Sequence, residues 1–89
     1  MSIKEQLTQD FKTLLSKTDR KSFTEAKLKF YETIFTNYSD EDNLYVVLTA
    51  FEMACDDFIN TNYSEKIKKV LLGDFQNILI VLDAFQSDN

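Results

Sequence analysis

Residues 39–58 read SDEDNLYVVLTAFEMACDDF: three consecutive acids, an apolar run, then a second acidic pair before an aromatic. Three readings compete for the first acids: metal ligands, catalytic carboxylates, or the first turn of a helix. The spacing favours the helix. Ser39 is a good N-cap, because its hydroxyl can accept from a backbone N–H that has no partner inside the helix. Asp40, Glu41 and Asp42 then fill the first turn, where negative charge faces the positive end of the helix dipole, for about 0.3–1 kcal/mol per favourable charge. Leu44, Leu48, Phe51, Cys55 and Phe58 follow at intervals of 4, 3, 4 and 3. They share one face of a helix predicted over about 40–60.

The same reasoning extends in both directions. The chain has 89 residues, no proline and a single glycine. A β-rich chain of this length would normally need several turn glycines or prolines, so helices joined by short polar turns are expected. A first helix over about 3–17 opens at Ser2, with Glu5 at capping-box spacing and Ile3, Leu7, Phe11, Leu14 and Leu15 on one stripe. A second over 23–37 opens at Ser22, where Glu25 repeats the box. Its stripe is Phe23, Ala26, Phe30, Ile34 and Tyr38, and Leu28, Tyr31 and Phe35 widen it, which predicts a helix covered on more than one side. A fourth over 65–86 opens at Ser64, and Leu71, Phe75, Ile78, Leu82 and Phe85 repeat the 4, 3, 4, 3 interval. Ile67, Val70, Leu79 and Val81 broaden that face. Gly73 lies inside, where it costs about 1 kcal/mol against alanine, so a kink or a close helix approach is expected there. The tail at 86–89 should fray. Short connections make sequential helices antiparallel neighbours. The predicted fold is therefore all-α, an antiparallel up-down four-helix bundle, with residues 1–89 as a single helical domain.

Composition removes several function classes. The absence of histidine takes away the commonest general base and the commonest metal ligand. The acids from Asp40 do not make a calcium loop, because Leu44, Tyr45 and Phe51 stand where an EF-hand needs an oxygen ligand, a glycine and a glutamate. A helical di-iron site needs histidine. Glu52 and Asp56 lie one turn apart, with Asp57 adjacent, but they alternate with the apolar seam and should project to water. Cys55 falls on the seam with no base to activate it, as a packed core thiol would. One glycine cannot make a phosphate loop. These readings predict no enzyme, no cofactor and no bound metal. The single cysteine suggests a reducing compartment. The longest apolar run, ILIVL at 78–82, is far short of the roughly 20 residues that span a membrane. No signal-peptide h-region opens the chain, so a cytoplasmic location is expected.

Charge is unevenly placed. Residues 1–39 carry seven Lys/Arg against five Asp/Glu, and residues 64–89 three against four. Residues 40–63 carry six acids and no base. The small clusters Lys66, Lys68, Lys69 and Arg20, Lys21 are outweighed by a net charge of −5, which opposes direct nucleic-acid binding. With the seam facing inward, the far side of the third helix holds Asp42, Val46, Thr49, Glu52, Met53, Asp56 and Asn60. Acids there would steer a basic partner, and Val46 and Met53 would supply apolar contact area.

The stretch SDEDNLYVVLTAFEMACDDF and the run of short helices resemble the small helical immunity proteins that bacteria pair with nuclease toxins, the colicin D immunity type in particular. The likeness covers about a quarter of the chain. It implies an inhibitor that fills a toxin's substrate channel with acidic side chains, a role that by position falls to Asp40, Asp42, Glu52, Asp56 and Asp57. The sequence thus predicts a small acidic binding protein that neutralises a basic toxin or nuclease by blocking its active site. Its partner-binding residues would be Asp40, Asp42, Val46, Glu52, Met53, Asp56 and Asp57. Two alternatives stand beside it: a phage-encoded, anti-CRISPR-like inhibitor that imitates nucleic-acid phosphate, and a self-associating regulatory bundle, a homodimer burying Val46 and Met53.

Overall fold

The computed structural model describes residues 2–38 and 42–87, without the side chains of Asp42, Gln86 and Ser87. Among the described residues four helices follow one another: α1 (Ile3–Leu15), α2 (Arg20–Asn37), α3 (Asp42–Asn60) and α4 (Glu65–Ser87). Among the described residues there is no strand, so the all-α class predicted from spacing is the observed one. The expected cap Ser39 and the acids Asp40 and Glu41 lie outside the described residues. No helix among the described residues is long and apolar enough to cross a membrane.

The chain divides into two compact units, Met1–Ser39 and Asp40–Asn89. In each, two helices pack on one another, α1 on α2 and α3 on α4. The links, 16–19 and 61–64, are four residues long and reach about 17 Å at full extension. That is shorter than the roughly 20 Å of α1 and 28 Å of α3, so neither link can run back along its helix. Each pair is therefore a helical hairpin whose second helix does not run parallel to its first.

In the first hairpin the Glu5 N–H donates to Ser2 Oγ at 3.1 Å, and the Ser2 hydroxyl donates to Glu5 Oε1 at 3.2 Å, as the box spacing predicts. α1 stops at Leu15 rather than 17. The Ser16 and Lys17 amides turn back to the Thr13 and Leu14 carbonyls in a tighter 3₁₀ geometry. The predicted start of α2 is corrected more substantially. Asp19, not Ser22, is the N-cap, and its carboxylate accepts the Ser22 N–H at 2.9 Å. Aspartate caps as well as serine does, and its earlier position adds a turn to the helix. Leu7, Phe11 and Leu14 of α1 and Phe23, Ala26, Phe30 and Ile34 of α2 are buried. The expectation that α2 is covered on more than one side fails: Leu28 and Phe35 are 58% and 47% exposed.

In the second hairpin the whole seam of Leu44, Leu48, Phe51, Cys55 and Phe58 is buried, joined by Ala54. Leu71, Phe75, Ile78 and Leu82 of α4 meet the expectation as well, whereas Val70, expected to broaden that face, is exposed. Ser64 caps α4 by accepting the Ile67 N–H at 3.2 Å. α4 runs without interruption through Gly73, and a Cβ built there meets nothing within 4 Å. The close helix approach expected at that position is therefore absent. The turn between α3 and α4 carries its own stop signal. Tyr63 N–H donates to the Phe58 carbonyl at 2.7 Å and Asn62 N–H to the Ile59 carbonyl at 3.1 Å. This is the paired bonding of a Schellman motif, with Asn62 at φ 57° in the left-handed position usually held by glycine. Tyr63, also left-handed at φ 61°, packs its ring edge-on against Phe58 at 5.3 Å. That contact offsets part of the strain of a bulky residue at positive φ.

Candidate docking surface

The buried seam of α3 fixes what its other side presents. At about 100° per residue, Val46, Thr49, Ala50, Met53, Asp56, Asp57 and Asn60 fall in one arc, and all of them are exposed. Val46 and Met53 are 69% and 64% exposed. Asp56 and Asp57 are exposed, and among the described residues no ion pair reaches either carboxylate. Of the residues singled out from sequence, the structure thus gathers Val46, Met53, Asp56 and Asp57 on one open face. Glu52, expected to project to water, is half-buried at the edge of that face and has a partner. The reason is angular: Glu52 lies only about 40° from Leu48 around the helix, against about 80° for Asp56. Asp40 is outside the described residues, and Asp42 opens α3 with its side chain outside them.

Asp57 sits in the last turn of α3, which holds no basic residue. The last carbonyls of a helix carry the negative end of its dipole, so an acid there is unfavourable for the helix. The acid–dipole rule expected from sequence at the start of α3 is thus broken at its end. The other candidates resolve into structure. Cys55 is fully buried, on the side away from the ridge. No group of His, Cys, Asp or Glu suited to a metal ion occurs among the described residues. Lys68 pairs with Glu65 at 3.1 Å. A shallow groove of about 230 Å³ in the first hairpin is lined by Thr13, Lys17, Ser22, Glu25, Ala26 and Lys29, a mixed-sign set with no catalytic pairing.

Sequence reasoning missed one buried acid. Asp10 is 5% exposed. Its Oδ1 accepts from Gln6 Nε2 at 2.9 Å and its Oδ2 from the Thr33 hydroxyl at 3.1 Å, while Lys29 Nζ lies 3.9 Å away. It ties α1 to α2 through polar contacts. The signal was present, since 7, 10 and 14 is the same 3, 4 interval that marks the apolar stripe, but a charged residue at that position reads as a surface one.

Comparison with protein-family models, with curated proteins and with solved structures finds no match to this chain. Fold and surface together define an all-α protein of two short helical hairpins, with one helix face left apolar and anionic.

Proposed function

We propose that this chain is a small acidic binding protein that docks through the open face of α3 onto a cationic protein, as an immunity protein or similar inhibitor covering the active site of a basic toxin or nuclease. One observation carries the reading: Val46 and Met53 stand exposed beside Asp56 and Asp57, in a stretch, 40–63, that contains no lysine or arginine. Opposite charge accelerates encounter with a basic protein, and exposed apolar groups lend the contact area that charge alone does not. Nucleases are cationic where they hold a polyanion, so their substrate channels suit such a face. The resemblance to immunity proteins points the same way.

The test is capture from the native host, identification of the retained protein by mass spectrometry, and measurement of its association rate against salt. A basic toxin or nuclease is the expected catch. The double variant Asp56→Lys, Asp57→Lys should slow association and flatten its salt dependence. Equal kinetics for the wild type and the variant would remove α3 from the interface.

A further inference from the structure

The face of α3 is not uniform along its length, and the gradient specifies what fits it. Val46, Ala50 and Met53 occupy an apolar stretch of about 10 Å, and Asp56 and Asp57 begin about 5 Å beyond it. Asn43, Thr49 and Asn60 make an exposed, uncharged rim. The negative end of the helix dipole lies at the acidic end, so attraction for a cation is concentrated there.

A second copy of α3 is a poor occupant. Pairing α3 with itself in parallel sets Asp57 against Asp57. An antiparallel register that matches Val46 with Met53 sets Asp57 beside Asp42 and Asn43, and one that matches Ala50 with Met53 sets Asp57 against Val46. With no base in 40–63, each of these registers desolvates or opposes carboxylates.

Resting on the docking reading above, we propose that the ridge takes a short amphipathic segment of a cationic protein that is apolar at one end and bears two Lys or Arg residues at the other. The apolar end covers Val46 and Met53, and the basic end reaches Asp56 and Asp57. A segment with its charges interleaved among its apolar groups would strand a cation over Val46 or an apolar group over the acids.

Two synthetic peptides of equal composition test this against the full-length, ¹⁵N-labelled protein. One carries leucines at helical spacing followed one turn later by two arginines; the other places the arginines between the leucines. The first peptide is expected to shift the amide signals of Val46, Met53, Asp56 and Asp57 and to bind about tenfold more tightly than the second. The double variant Asp56→Asn, Asp57→Asn should lose about tenfold with circular dichroism unchanged, and Met53→Gln should weaken the same peptide independently. Equal affinity for both peptides, shifts centred on Glu65, Asp74 or Asp83, or no saturable binding would overturn the gradient. Peptide discrimination without a basic protein from the host would keep the gradient and discard the inhibitor reading. A captured toxin without peptide discrimination would do the reverse.

Discussion

The two hairpins use their acids in opposite ways. Residues 1–39 carry seven bases against five acids, and residues 40–89 three against ten. In the first hairpin two acids serve the fold: Asp19 caps α2, and Asp10 is buried with its oxygens satisfied by Gln6 and Thr33. In the second, Asp56 and Asp57 serve no visible structural purpose, and Asp57 stands at the end of α3 where charge of its sign is unfavourable. An acid that helps the fold needs no further explanation. An acid that works against it, on a face with exposed Val46 and Met53, is where the proposed docking role would compete with stability.

The contrast is sharpest across α3 itself, and there the largest effect is expected. Phe58→Ala removes a fully buried ring that also holds Tyr63 in the turn. It should cost about 3–5 kcal/mol in urea unfolding. Met53→Ala, five residues earlier on the open face, should stay within about 0.5 kcal/mol of the wild type. A large loss at Met53 would mean that this side chain is structural and the face is not free.

Next in size is the buried acid of the first hairpin. Asp10→Asn replaces one of two acceptor oxygens by an NH2 donor, so that either Gln6 or Thr33 faces a donor instead of an acceptor, and should destabilise by about 1–3 kcal/mol. The 3.9 Å approach of the largely exposed Lys29 adds little. Asp56→Asn should leave the melting temperature nearly unchanged. Similar losses at both positions would dissolve the distinction between the hairpins.

Two substitutions in the second hairpin should stabilise. Gly73→Ala meets open space in an unbroken helix and should gain about 1 kcal/mol, a rise in melting temperature of several degrees. Asp57→Lys places a cation at the negative end of α3 and should gain about 0.3–1 kcal/mol at low salt while weakening partner binding. A variant that binds better and melts lower would reverse the trade-off proposed for this residue.

How much of this was legible beforehand depends on what each residue's sequence neighbours constrain. The seam 44–48–51–55–58 is strictly periodic, so its burial, and by complement the exposure of Val46, Met53, Asp56 and Asp57, could be read directly. The start of α2 could not, because Asp19 and Ser22 are both competent caps and only the folded backbone chooses between them. Leu28 and Phe35 were misread because apolar character permits burial without requiring it. Asp10 was missed for the converse reason: its burial depends on Thr33, 23 residues away, and no local pattern encodes that meeting. The left-handed backbone at Asn62 and Tyr63 also went unread, although the turn itself lies where the predicted helices end and begin, since neither residue is the glycine that usually announces a left-handed helix stop.

The smallest expected effect is the most direct comparison of the hairpins, because Asp19 in the first and Asp74 in the second are displaced from the ordinary carboxylate value in opposite directions. The Ser22 backbone N–H, then the Ser22 hydroxyl, and then Lys17 and Lys21 hold Asp19 below its usual pKa. Its contribution to stability is present above the unfolded-state value and is lost as pH falls through the lowered folded one. Partial burial raises Asp74 above its usual pKa. Its contribution is present below the unfolded value and is lost as pH rises through the raised folded one. Asp19→Asn, which keeps a capping side chain but removes the charge, should therefore lower stability at about pH 7 and have little effect at about pH 2.5. Asp74→Asn should raise stability at about pH 7, relative to its effect at about pH 2.5, because the penalised charge is gone. Urea titrations of both variants at the two pH values check this through the sign of the change alone. If both variants move stability the same way between the two, the environments assigned to these carboxylates are wrong, and with them the claim that the first hairpin favours its charged acids while the second tolerates them.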